Sequence, residues 1–541
     1  MQRKKQNFVQ GAVILMVASL VVKVIGAFFQ IPLQNLIGGR SSPAFGLFSS
    51  AYRIYSAMLV ISTVGLPATL SKMVAEATAH GREREVRRIV RVAACIFVPV
   101  GALAAAALFF GADTFADWIK SADARLAVMA IAPSVWMVAI ISVFRGYYQG
   151  RTNMVPTAVS QIIEAMGKLL AGLGFAWYAV QAGLDDPVVA ALTVLGVTLG
   201  EVAAAAYMMI QAAVTRRRGW TVRALNDTVR PVGQLAKIML SLSIPITISS
   251  AVMSLTDLID VALISARLQS PAVGMTAEQA VTTYGIYTGQ AINFFNLPQT
   301  LITALAVSVL PTIASARAAQ NFTRVSRTLS TALRLTMMIT LPAGAGFLLL
   351  SSSILRLFFG DGTELGGRLM AILGFAVPAV ALVAITNAIL QAFGRIDLPL
   401  ISMFLGAVVK IFGDYFLIGD PSFQIAGAPI STAVCYWLIA LINLFHIGRL
   451  SHALPPLGRT VGRPLAATAG MGAAIYICLT GLTRLLDASP GSASDKLITL
   501  AVIAIAVAVY GVLLLTLHAV EREDVLLLPK GEKIADILHL K

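Results

Sequence analysis

The sequence predicts an all-α integral membrane protein with about 14 transmembrane helices, built as two parallel-repeat six-helix lobes plus two C-terminal helices. Three observations carry this. The 541 residues are 57% hydrophobic and only 12% charged, with mean hydropathy +0.82. Apolar runs of about 20 residues, each long enough to cross a hydrocarbon core as helix, recur from end to end. Local patterns of the first half also return, in order, in the second. In lipid, backbone groups must be satisfied within a helix or around a closed barrel, and unbroken apolarity is not the alternation a barrel needs.

The spans are read at 9–35, 44–75, 90–111, 125–150, 154–181, 187–215, 234–267, 281–315, 327–358, 366–393, 398–419, 424–447, 464–486 and 496–518. The first follows Arg3, Lys4 and Lys5, lacks a small-residue cleavage site and is too long for a signal peptide, so it reads as retained. Positive residues then set the orientation. The termini and the even-to-odd loops hold 27 Lys and Arg, against eight in the odd-to-even loops. Both ends are therefore expected to be cytoplasmic. The net charge of +15 comes from these inner loops, so no nucleic-acid partner is expected.

The outer loops are short and mildly acidic and hold no folded domain. The basic connection Thr215–Gly233, with Trp220, reads as an interfacial linker between the lobes. The tail after Val520 reads as a short amphipathic helix on the inner leaflet. The expected division is thus 1–233 for the N-terminal lobe and linker, 234–450 for the C-terminal lobe, and 451–541 for the last two spans and tail. Cys95, Cys435 and Cys478 are scattered in apolar runs and read as core residues. The five histidines fall at helix ends or in loops, so no metal site is expected.

The repeat is clearest in a helix hairpin. FRGYYQGRTNMVPTAVSQIIEAMGK, Phe144 to Lys168, returns as NAILQAFGRIDLPLISMFLGAVVK, Asn387 to Lys410. Gly150-Arg151 matches Gly394-Arg395, and Pro156 matches Pro399; these six residues read as the cytoplasmic hinges of the two hairpins. A lysine follows each proline, but with the prolines aligned Lys168 and Lys410 stand one residue, about 100°, out of step. FGLF (45–48) opens span 2 as YGIY (284–287) opens span 8, and VGLPATLS (64–71) corresponds to VLPTIAS (309–315). An even number of spans per half makes the repeats parallel.

Ionisable groups inside a membrane are costly, so each is a functional candidate. Span 1 carries Ser19, Lys23, Gly26, Gln30 and Gln34 at helical spacing, and span 2 carries Ser49, Arg53, Ser56, Thr63 and Pro67. Span 5 carries Gln161, Glu164 and Lys168, span 6 carries Glu201, and Arg145 lies near the cytoplasmic end of span 4. The plainer reading has Glu164 and Lys168 neutralising each other at i, i+4 while Arg53 and Arg145 snorkel to the surfaces. The sharper one counts four cations against two acids, an excess that suits an anionic ligand, above all a phosphate. The second lobe offers Gln290 and Asn293 on span 8, Asp257 and Asp260 on span 7, and Lys410 with Asp414 on span 11. These last four read as an ion or proton site, a salt-bridge lock that changes as the lobes rock, or static pairs.

These features resemble the multidrug/oligosaccharidyl-lipid/polysaccharide (MOP) exporter superfamily. Within it, KVIGAFFQIPLQNLIG, AYRIYSAMLVISTVGLPATLSKMVAE and the Q-G-R…P hairpin are most similar to the SpoVB/YtgP group of polysaccharide biosynthesis proteins, relatives of the MurJ-like lipid II flippases. The resemblance implies a flippase of the bacterial cytoplasmic membrane. Its cargo would be an undecaprenyl-diphosphate-linked cell-wall precursor, lipid II foremost, in peptidoglycan synthesis or sporulation. It implies membrane lipids and other cell-wall synthesis proteins as partners, and no cofactor beyond Na+ or H+ coupling. Lys23 and Arg53 fall where such flippases hold the diphosphate; the matching span 8 position is the uncharged Asn293. Relatives hold sodium with an Asn-x-x-x-Asp pair on span 11. Here the pair is Lys410-x-x-x-Asp414, a lysine in place of sodium, so that ion site does not carry over. The alternatives are a MATE-like drug/cation antiporter, which would rely on Glu164, Glu201, Asp257 and Asp260, and a non-transporting envelope scaffold. An enzyme would need convergent acids or histidines on a substantial outer loop, which the sequence lacks.

Overall fold

The computed structural model describes residues 8–37, 42–217, 229–360, 363–395, 397–451, 458–485 and 489–520, and among these every regular element is helical. The inter-lobe linker around Trp220 and the tail beyond Val520 lie outside the described residues.

Two compact units divide the chain at Gly285/Ile286. The first holds α1 (Phe8–Ile37), α2 (Ala44–Ala79), α3 (Glu83–Phe110), the short α4 (Ala112–Trp118) and α5 (Ala124–Gly150). It continues through α6 (Val155–Gly167), a π-helical turn at Lys168–Gly172, α7 (Leu173–Gln181), α8 (Asp186–Arg217) and α9 (Val232–Leu268). α10 (Ala277–Ile286) runs up to the boundary. The second unit opens with a π turn (Tyr287–Ile292) and holds α11 (Asn293–Ala318), α12 (Phe322–Phe359), α13 (Glu364–Gly374) and α14 (Val377–Ala392). It closes with α15 (Asp397–Ile418), α16 (Gly427–Ser451), α17 (Arg463–Leu485) and α18 (Ala493–Thr516).

Each of the fourteen expected stretches is helical. Among the described residues, ten helices are long and apolar enough to cross a membrane, and an eleventh if the bent pair α13–α14 counts as one span. The chain is therefore a multi-pass membrane protein, with the full count of fourteen not reached by this measure. The 45° bend between α13 and α14 falls just before Pro378, which lacks an N–H and disfavours a helical conformation in its predecessor.

In the first unit α2 packs along α5 and α9, and α5 also lies against α3 and α8. Leu70 and Val74 of α2, Ile89 of α3, Tyr148 of α5, Met208 of α8 and Met239 of α9 share one buried cluster. Span 7 (α9), which the sequence repeat aligns with span 1, thus packs within the first compact unit. In the second unit α11, α12, α14 and α16 bury Ile302, Leu329, Ile385, Ile389 and Ile439 together. The last two helices pack on each other and on α12. Arg356 on α12 pairs with Asp495 at the start of α18 at 2.9 Å, and Tyr510 donates to the Met338 carbonyl at 2.7 Å.

The two hairpins differ at their turns. Gly394 takes a left-handed φ of +74°, as a turn glycine does. Gly150 does not; a Cβ there would lie 2.7 Å from the Ser71 carbonyl oxygen, so this glycine serves the close approach of α5 to α2. The left-handed residue of the first hairpin is Thr152, φ +55°. The extra residue between Gly150 and Pro156 accounts for the shift. Both prolines are buried near a helix start, where a missing N–H costs nothing. Arg395 is exposed and pairs with Asp397 at 2.8 Å.

Candidate functional site

The candidate site in the first unit begins with glycines. Gly196 and Gly200, four apart on α8, press against Gly172 and Gly167 on span 5. A Cβ on Gly196 would sit 2.3 Å from the Gly172 nitrogen, and one on Gly167 would sit 2.5 Å from the Gly200 Cα. Small residues at this spacing let helix backbones approach closely in lipid, where packing rather than hydrophobicity drives association. Glu201, the next residue, is thereby held against α2 and α5, completely buried.

Three sets of polar contacts fill this region. Arg145 of α5, 6% exposed, donates from Nη2 to Glu164 Oε2 at 2.9 Å and from Nε to Ser160 Oγ at 3.0 Å. The Tyr55 hydroxyl of α2 donates to Glu201 Oε1; Glu201 Oε2 has no hydrogen bond among the described residues. Lys168 Nζ donates to the Tyr52 hydroxyl at 3.1 Å. It also lies 5.4 Å and 5.2 Å from the ring centres of Phe29 and Tyr52, within cation–π range.

This arrangement corrects two readings of the sequence. Glu164 binds Arg145 from the neighbouring helix, whereas Lys168, one turn along, turns to Tyr52. The i, i+4 spacing showed a shared face but not which group a neighbouring helix would supply. Arg145 is also buried and paired instead of snorkelling, because α6 brings Ser160 and Glu164 to it. Of the other two cations, Lys23 is exposed on α1 and Arg53 half-buried on α2. Tyr52, Tyr55 and the Gly196/Gly200 pair escaped the sequence reading; the glycine spacing was the signal for the last.

A second set of pairs lies at the basic end of α3. Glu83 accepts from Arg151 of the hairpin turn, and Glu85, completely buried, accepts from Arg230 just before α9. The run 81–88, which falls in the even-to-odd loop between spans 2 and 3, therefore also carries two buried acids that tie the hairpin and the linker's end to α3. Arg151 acts there as a tether.

In the second unit Lys410 and Asp414 form the expected i, i+4 pair, 2.8 Å apart and both buried. An ammonium thus rests on the Asp414 carboxylate. Gln290 is buried in the π turn against Gly366, where a Cβ would lie 2.0 Å from Gln290 Oε1. Asn293 turns back on its own helix, donating to the Gly289 carbonyl at 2.7 Å. Asp260 is half-buried on α9 in the first unit, and the side chain of Asp257 lies outside the described residues. The structure also reveals an unforeseen cluster: Asn443 accepts from Ser402 at 2.7 Å and donates to Thr386 at 3.0 Å and to Asn387 at 2.8 Å. It joins α14, α15 and α16 by bonds inside the core.

Comparison with known proteins adds the family. The model described as polysaccharide biosynthesis protein matches residues 8–317, more than half the chain, and the MatE model matches residues 245–416. The chain is 25% identical to stage V sporulation protein B of Bacillus subtilis over 97% of its own length and 98% of the relative's. It is 21% identical to the lipid II flippase MurJ of the same bacterium, over 93% and 94%. Among solved structures, lipid II flippase MurJ in an inward closed conformation superposes with a TM-score of 0.69 at 14% identity, covering 93% of this chain and 98% of that one. That superposition shows a shared fold. The chain belongs to the polysaccharide biosynthesis protein family.

Proposed function

We propose that this protein is a flippase that carries an undecaprenyl-diphosphate-linked cell-wall precursor, lipid II foremost, from the inner to the outer leaflet by alternating access. The bacterial cytoplasmic membrane is its place, with both termini on the cytoplasmic side as the positive-residue bias indicates. The carrying observation is the position of two intramembrane cations. Lys23 is exposed on α1 and Arg53 half-buried on α2, the two helices where the resemblance locates the diphosphate contacts. Lys and Arg on neighbouring helices suit a diphosphate, which accepts several charge-assisted hydrogen bonds.

Full-length similarity to stage V sporulation protein B and to a lipid II flippase supports the same class of cargo. The MatE match over residues 245–416 supports a drug/cation antiporter as the second reading. Complementation separates them. In a strain depleted of its lipid II flippase, expression of this chain restores growth and outer-leaflet lipid II on the first reading. On the second, growth is not restored and the chain exports a cationic dye instead.

A further inference from the structure

The start of α9 is held to α2 and α3 by charge as well as by packing. Arg230, just before the Pro231 cap of α9, donates from Nε to Glu85 Oε1 of α3. Its Nη2 lies 3.5 Å from Glu76 Oε1 near the end of α2. Arg88 of α3 donates in turn to the Arg230 carbonyl at 3.1 Å. Leu235 and Met239, the first fully buried residues of α9, then pack with Leu70, Met73 and Ile89.

Glu85 is completely buried, and two arginines reach it. Oε1 takes Arg230, while Oε2 faces Arg82 Nη1 at 3.4 Å. That second distance is long for a charge-assisted hydrogen bond, which is usually about 2.7–2.9 Å. The two partners also belong to different parts of the chain. Arg82 is the N-cap residue of α3, at i, i+3 from Glu85, and travels with it. Arg230 travels with α9.

A buried carboxylate stripped of its cation is strongly destabilising, so a single arginine would make a permanent bolt. Arg82 changes that, because it can close on Glu85 when Arg230 leaves. The result is one acid with two alternative partners, the kind of salt-bridge exchange that switching interfaces use. The α3 side of the contact is fixed independently: Glu83 binds Arg151 of the hairpin, and Val86 and Ile89 are buried in the same cluster. The part free to move is therefore the start of α9. That span begins the second half of the sequence repeat, yet it lies within the first compact unit.

We propose that Glu85 and Arg230 form a releasable clasp on the start of α9, and that Glu85 passes from Arg230 to Arg82 when that end swings away from α2 and α3. The clasp concerns the motion of α9 alone, so it stands or falls separately from lipid II transport.

The test is maleimide labelling of Leu235→Cys in the purified full chain, with Cys95, Cys435 and Cys478 replaced by alanine. Leu235 is fully buried, so its labelling rate reports how often the start of α9 opens. Glu85→Gln and Arg230→Gln should each raise that rate about tenfold, because both weaken the closed state. Arg82→Gln should lower it by a similar factor, because it strands Glu85 only in the open state. Ile131→Cys, buried on α5 away from the clasp, should stay protected in all three variants. Unchanged labelling in Glu85→Gln or Arg230→Gln would overturn the proposal. So would faster labelling in Arg82→Gln, the mark of a static cluster, or a parallel rise at Ile131→Cys, the mark of general loosening.

Discussion

Gly200→Ala tests whether backbone contact between spans 5 and 6 builds the polar contacts around Glu164 and Glu201. A methyl group there would sit 2.7 Å from the Glu164 carbonyl oxygen, 2.9 Å from the Lys168 nitrogen and 3.3 Å from the Gly167 carbonyl carbon. All three are backbone atoms, which no rotamer change can move aside. In a water-exposed helix the change would gain about 1 kcal/mol of helix propensity. In lipid, spans stay helical even when unpacked, so most of that gain cancels between the two states. Overpacking costs about 1–3 kcal/mol and decides the sign.

Gly174→Ala, in the same span, is the control, since a Cβ there meets nothing within 4 Å. Thermal unfolding in detergent reads the difference. Gly200→Ala should melt several degrees lower, at about 2–4 °C per kcal/mol on the scale of soluble domains of 150–250 residues. Gly174→Ala should melt within about a degree of the parent. A Gly200→Ala melting point at or above the parent's, or an equal fall in both variants, would refute the reasoning.

Three further outcomes follow from the same geometry. Lys410→Met alone should destabilise by about 3–5 kcal/mol, because it removes the ammonium from a buried carboxylate, and adding Asp414→Leu should recover most of the loss in a double-mutant unfolding cycle. At the hairpin turns, Gly394→Ala should cost about 1–2 kcal/mol and Thr152→Gly should gain a comparable amount, since each exchanges glycine and a side chain at a left-handed position; melting temperatures would show the opposite signs. Lys23→Ala and Arg53→Ala should each weaken lipid II binding about tenfold, measured by titration of the purified protein. Unchanged affinity in both would remove the diphosphate role from these residues.

The sequence disclosed what depends on one helix at a time. Apolar length located the helices, and the spacing of Lys410 and Asp414 foretold a pair that the fold then buried. Pairings between helices were not legible. Glu164 had an apparent partner in Lys168, but the choice fell to Arg145, which α5 brings to 2.9 Å. The backbone also widens into a π turn at Lys168–Gly172, so a 3.6-residue period does not describe the helix beyond Glu164's own turn. Tyrosines are ambiguous in the same way. Tyr52 and Tyr55 look like apolar filling until Lys168 and Glu201 arrive from other helices to meet their hydroxyls. The hairpin repeat was visible as a motif, yet one extra residue in the first turn moved the left-handed position from glycine to threonine.

The claim of transport is tested most directly by reconstituting the purified chain in liposomes loaded with lipid II, using a membrane-impermeant reagent that reports lipid II in the outer leaflet. The account predicts that inner-leaflet lipid II becomes accessible when the protein is present, and that Lys23→Ala/Arg53→Ala slows this sharply while the fold is retained. Accessibility no greater than in protein-free liposomes, from a correctly folded protein, would contradict it.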